Sequence, residues 1–152
     1  MKKIVYLLFI MLFLLTGCKK NSITLEEFIN QARFDGYMIK ESKTGYEDET
    51  YIKNVYYALS IENDYDMQFL ELENDDYAKK FFLVNANSIK NELTSKDYYK
   101  SKSLTNYELV HGENDTKYLL VIRSYNNIIY IDADINYINN IEEFLDELDL
   151  EY

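Results

Sequence analysis

Three apolar runs crowd the second half of the chain, over residues 107–111, 117–124 and 128–133, with only Gly112-Glu113-Asn114-Asp115 and Tyr125-Asn126-Asn127 as spacers. Parallel strands need a crossover of a dozen or more residues, so gaps this short force antiparallel neighbours. The three runs are therefore expected to form a meander, and any fold for this chain has to be built around it.

The first half offers a similar set. Val55, Tyr57, Leu59 and Ile61 alternate with Tyr56, Ala58, Ser60 and Glu62, the pattern of a strand with one buried face. The turn Asn63-Asp64-Tyr65-Asp66 leads into a second strand over 67–73, and 37–40 reads as a short strand before a polar loop at 41–49. Helices frame these strands. Thr24 and Glu27 have the spacing of a capping box, Leu25, Phe28, Ile29 and Ala32 share one face, and Gly36 supplies the stop. Asn74 is a candidate N-cap ahead of Asp75 and Asp76, followed by a broad apolar stripe from Tyr77 to Leu93. A last helix is expected over 136–148, burying Ile138, Ile141, Leu145 and Leu148. Residues 95–103, rich in tyrosine and lysine, read as a connection.

The order is then α-β-β-β-α-β-β-β-α, an α+β fold in which an antiparallel sheet carries its helices on one face. The similarity of Leu25-Glu26-Glu27-Phe28-Ile29 to Ile141-Glu142-Glu143-Phe144-Leu145 also raises a two-repeat arrangement. No Pro-rich or Ser/Gly-rich linker interrupts residues 23–152, which are read as one domain.

Charge bears on partners. With 16 lysines and arginines against 27 aspartates and glutamates, a net charge of −11 argues against nucleic acid, which is bound through clustered cations. A lone cysteine excludes an internal disulfide.

The N-terminus has a basic start at Lys2 and Lys3, an apolar run from Ile4 to Leu15, then Thr16, Gly17 and Cys18. A dozen apolar residues fall short of the ~20 needed to span the hydrocarbon core, and the layout is that of an export signal. Leu15-Thr16-Gly17-Cys18 resembles the lipobox of bacterial lipoproteins. That resemblance implies removal of residues 1–17 and a diacylglyceryl group on the Cys18 thiol, with two or three acyl chains in all. It leaves residues 18–22 as a lipid-anchored N-terminus on the extracytoplasmic face of the cell membrane. Two or more acyl chains anchor stably without spanning. Loss of Lys2 and Lys3 takes the formal charge from −11 to −13. The mature chain also resembles a set of small lipoproteins of Gram-positive bacteria, through Gly36-Tyr37, Phe69 with Ala78, Arg123 and Tyr152. That second resemblance brings no activity with it.

Catalytic residue types are sparse. His111 is the single histidine, expected at a hairpin end beside Gly112, and Cys18 is committed to lipid, so no catalytic residue is assigned. The best metal candidate is Asp132, Asp134, Asn136 and Glu143, whose spacing matches positions 1, 3, 5 and 12 of an EF-hand calcium loop. Tyr137 stands where that loop needs Gly, and a strand precedes it in place of a helix, so capping of the last helix accounts for the same residues. No metal or other cofactor is expected beyond the covalent lipid. Sixteen tyrosines raise a binding face among Tyr56, Tyr65, Tyr98, Tyr99, Tyr107, Tyr118, Tyr125 and Tyr137, against the simpler reading that they fill the sheet. The preferred function is a non-enzymatic, membrane-anchored module that binds a protein partner. The alternatives are an inhibitor or immunity-type lipoprotein with an acidic surface and a small envelope hydrolase using paired carboxylates.

Overall fold

A computed structural model describes residues 22–61, 65–150 and 152. The lipobox residues, with Lys19 and Lys20, lie outside the described residues, as does the turn at 62–64.

The chain folds into α1 (Leu25–Phe34), β1 (Met38–Glu41), β2 (Ile52–Leu59), β3 (Asp66–Leu72), α2 (Asp75–Glu92), β4 (Tyr98–Leu104), β5 (Tyr107–Glu113), β6 (Lys117–Ser124), β7 (Asn127–Asp134) and α3 (Ile138–Glu147), with a 3-10 turn, Ile135–Tyr137, ahead of α3. All seven strands join one antiparallel sheet in the order β1-β2-β3-β7-β6-β5-β4. This is an α+β fold in the expected order, with one more strand: β4 occupies most of the stretch read as a connection.

Local signals work as the sequence dictates. Thr24 and Glu27 make both bonds of a capping box. At the other end of α1, Gly36 sits at φ 83°, while the amides of Tyr37 and Gly36 bond back to Ala32 and Arg33. That is the Schellman closure, which needs a left-handed residue at Gly36. Asn74 caps α2 through the Tyr77 amide.

The helices cover both faces of the sheet, which corrects the one-face expectation. Phe28, Ala32, Ile141, Phe144 and Leu145 of α1 and α3 pack on Met67, Phe69, Leu120, Ile122, Ile129 and Ile131. Ala78, Phe82 and Ile89 of α2 pack on Val55, Leu70, Leu119, Val121 and Ile128. The reason lies in the central strands. Tyr118 to Ser124 are buried at every position, so β6 presents side chains that need cover on both sides. A bulge adds to this on β2, where Ile52 pairs with Leu72 and Asn54 with Glu71, leaving Lys53 extra. The extra residue puts Ile52 and Val55, three apart, on the same face.

The two-repeat arrangement is not realised. The similar segments are α1 and α3, neighbours in one layer, with Phe28 edge-on to Phe144 at 5.5 Å. Two repeats of three strands and a helix meeting at the antiparallel β3–β7 pair would place α2 and α3 on the same face, and they lie on opposite faces.

Candidate functional site

The edge formed by β4, and the polar residues beneath it, is where exposed and chemically capable groups meet. β4 pairs with β5 without a break, from Tyr98 opposite Glu113 to Leu104 opposite Tyr107. Among the described residues, no strand neighbours its outer side. Tyr98, Tyr99 and Leu104 are 49%, 44% and 43% exposed, well above the range of core residues. Side chains alternate across the strand. Lys100 stands opposite His111 on the α3 side, whereas Tyr99 stands opposite Gly112 on the α2 side. A Cβ at Gly112 would come within 2.5 Å of Leu93 Cδ1 and 2.9 Å of Ile89 Cγ2, so this glycine lets the end of α2 close onto β5.

His111 is not a hairpin-end residue. β5 continues through Gly112 to Glu113, and His111 is 3% exposed. Its ring is held edge-on to Tyr98 at 5.1 Å and tilted against Tyr118 at 4.6 Å. Nε2 lies 2.9 Å from Glu113 Oε1 but out of line for a hydrogen bond, so it has no hydrogen-bond partner among the described residues; the same holds for Tyr118 Oη. Burial pushes the imidazole down to about 4, with Lys100 adding to the effect. Burial also pushes the Glu113 carboxyl up, with Glu142 reinforcing it. A carboxylate this close would by itself favour the imidazolium. The opposite shifts show that desolvation of the two groups outweighs their attraction. Near neutrality His111 is therefore a neutral ring packed between tyrosines. Lys100 Nζ bonds a backbone oxygen of Tyr152, whose side-chain hydroxyl donates to the carbonyl of Glu142 at 3.3 Å. These contacts tie the chain end and α3 to the edge strand.

Of the calcium candidates, Glu143 is kept apart from the other three. Asp132 accepts from Lys117 Nζ at 3.0 Å, and Asp134 caps the 3-10 turn by accepting from the amide of Asn136 at 2.9 Å and from its side chain at 2.7 Å. Glu143 belongs to α3, on the sheet face opposite Asp132. No group of three or more His, Cys, Asp or Glu residues suited to a metal occurs among the described residues. Asp66, Asp132 and Asp134 do line one cleft of about 340 Å³ together with Lys117, Tyr65 and Tyr137. Two of these acids are occupied by the contacts just described.

The tyrosines do not form one face. Tyr65, Tyr107 and Tyr118 are buried, and Tyr56 and Tyr137 are half-buried. Tyr98, Tyr99 and Tyr125 are exposed. Tyr37 and Tyr65 share a 2.6 Å hydroxyl contact, and Tyr65 stacks on Tyr137 at 4.9 Å. On the α2 side, Tyr51 stacks on Tyr77 at 5.1 Å beside a cleft of about 320 Å³ that Tyr46 and Phe81 also line. Burial raises the Tyr46 hydroxyl to about 12, which keeps it a neutral donor to Gln68 Oε1 at 2.9 Å.

A second buried polar group is structural. Arg123 is fully buried, its Nε 2.6 Å from Glu108 Oε2 and its Nη1 paired with Asp75; the carbonyls of Tyr125 and Thr105 accept from it at 3.1 and 3.3 Å. It fastens the start of α2 to strands β5 and β6.

Sequence reasoning missed Lys100, Lys102 and Leu104 as part of an exposed strand. The available signal was the alternation of Tyr98, Lys100, Lys102 and Leu104 with Tyr99, Ser101 and Ser103, which is too polar to stand out as a strand. Comparison with protein-family models, with curated proteins and with solved structures finds no match to this chain.

Proposed function

We propose that this chain is a membrane-anchored, extracytoplasmic lipoprotein that acts by binding another protein and not by catalysis. The observation that carries the binding role is β4, a seven-residue edge strand whose outer side pairs with no strand among the described residues and which carries three exposed apolar or aromatic side chains. The anchor rests on Leu15-Thr16-Gly17-Cys18. His111, the single imidazole, is sealed between Tyr98 and Tyr118 and is uncharged near neutrality, which argues against a proton-transfer role. Asp132 and Asp134, two of the three acids that line the cleft beside Tyr65 and Tyr137, are already engaged by Lys117 and by a backbone cap.

The test is covalent crosslinking in intact cells, followed by purification of the lipidated protein and comparison with Cys18→Ala. One protein should be enriched with the native chain and should rebind the purified lipoprotein. Cys18→Ala should lose processing and membrane retention. Enrichment of nothing, or turnover of a substrate that disappears on changing a single acid, overturns the reading.

A further inference from the structure

We infer that the end of the sheet carrying the turns Thr105-Asn106 and Tyr125-Asn126 rests on the lipid surface, with Tyr125 and Leu104 at its headgroup level. This rests on the lipid anchor proposed above and specifies how the domain stands on the membrane.

The tether is short and the point where it joins the fold is fixed. From Cys18 to Ile23 the chain extends at most about 18 Å, less than the ~25 Å length of an eight-residue strand such as β6. Ile23 is buried, its amide donates to Ser124 Oγ at 3.3 Å, and its carbonyl accepts from Asn127 Nδ2 at 3.1 Å. These contacts straddle the β6–β7 turn, whose central residues are Tyr125 and Asn126. The neighbouring turn is joined to it. The Tyr125 amide donates to the Asn106 carbonyl at 2.9 Å, and Arg123 Nη2 to the Thr105 carbonyl at 3.3 Å. A lipid on Cys18 therefore keeps both turns near the bilayer, whereas the turn at 114–116 lies at the far end of the same strands.

The side chains on these turns suit an interface. Tyr125 is 51% exposed at φ 54°, a left-handed backbone that Gly or Asn adopts at less cost than an aromatic residue. A tyrosine placed there at a cost to the backbone points to a role for its ring. Its apolar body and polar hydroxyl match the headgroup level of a bilayer, where tyrosines concentrate. Leu104, 43% exposed, ends β4 where the adjoining turn begins. One tyrosine and one leucine alone would hold lipid weakly, but the covalent tether makes their contact intramolecular and raises its effective concentration. Charge does not drive the contact. Glu26, Glu73 and Asp76 are exposed at the starts of α1 and α2, on the same end, and Lys19 and Lys20 of the tether offset two of these three charges. Tyr98 and Tyr99, at the other end of β4, stand away from the lipid, on the side a protein partner can approach.

The sequence contains no tryptophan, so a single one introduced reports its own surroundings. Tyr125→Trp and Leu104→Trp, with Asp115→Trp at the far end as control, are prepared as lipidated proteins in phosphatidylcholine vesicles. A fraction of the lipid is brominated near the carboxyl end of its acyl chains, where the bromine quenches a nearby indole. Emission of Tyr125→Trp and Leu104→Trp should shift to the blue and be quenched at least about twofold, while that of Asp115→Trp stays unchanged. The quenching should persist from about 0.05 to 0.5 M salt, as an apolar contact does. Tyr125→Asn suits the left-handed position, so it should keep the circular dichroism; combined with Leu104→Trp it should remove about half of that protein's quenching. Equal quenching at all three positions, quenching of Asp115→Trp alone, loss of quenching in salt, or no effect of Tyr125→Asn overturns the inference. If the lipidated protein stays on the vesicles while Tyr125→Trp and Leu104→Trp are not quenched, the inference falls and the anchor stands. If Cys18 carries no lipid and the protein leaves the vesicles, both fall.

Discussion

Arg123 and His111 are both buried on adjacent strands, yet they are treated in opposite ways. Arg123 on β6 faces α2 and bonds two carboxylates and two carbonyls. His111 on β5 faces α3, lies between two rings with Glu113 beside it, and among the described residues neither its Nε2 nor the hydroxyl of its neighbour Tyr118 is hydrogen-bonded. A charge that remains charged when buried must be fully partnered, as Arg123 is. A titratable ring can instead be buried by giving up its proton, and the sign of its response to pH records that choice.

The largest effect should come from Arg123. Arg123→Ala leaves Asp75 and Glu108 facing each other's field without their shared cation, and should cost about 3–5 kcal/mol in urea unfolding. A loss below ~1 kcal/mol would place Arg123 with the weak surface pairs.

Next is the pH profile. The folded His111 titrates near 4 against an ordinary 6.5, so in that interval the unfolded chain takes up a proton that the folded one refuses. Stability should therefore fall as pH drops from 6.5 to 4, by up to about 3 kcal/mol. Glu113, raised in the fold, works in the opposite sense and trims the lower end. His111→Phe should flatten the slope measured by thermal unfolding; an unchanged slope would assign it to the carboxylates.

The smallest effect concerns the unpartnered hydroxyl. Tyr118→Phe removes a buried group that has no bond to lose, and should leave stability equal or raise it by about 1 kcal/mol. A clear loss in the same melts would mean that Tyr118 Oη is satisfied in solution.

The elements with strong local signals were the ones legible in the sequence. Thr24 with Glu27, Gly36, and Asn74 ahead of Asp75 each mark a helix end by the chemistry of one or two side chains, and each works as expected. The short spacers correctly fix the antiparallel order of β5, β6 and β7. What failed depended on tertiary context. β4 was not legible because four of its seven residues are lysine or serine; its strand state comes from pairing with β5, not from its own apolar pattern. The second covering layer was written in the unbroken burial of Tyr118 to Ser124, but a continuous apolar run does not say which helix will cover it. The register slip at Lys53 has no residue signature of its own. The site was legible only in part. The scarcity of catalytic residue types was plain, and Tyr98 and Tyr99 stood out. The burial of His111 and the open side of β4 needed the strand order to be known.

That strand order also bears on how the fold is reached. One run of strands, β1 to β3, winds from one edge to the centre, and the other, β4 to β7, winds from the opposite edge to the same centre. Every ladder but one joins strands consecutive in the chain, whereas the β3–β7 ladder joins residues as far apart as Met67 and Ile131. Loop-closure entropy is thus concentrated in a single seam. Within the sheet, the other ladders close short loops, and the β3–β7 ladder carries the longest closure.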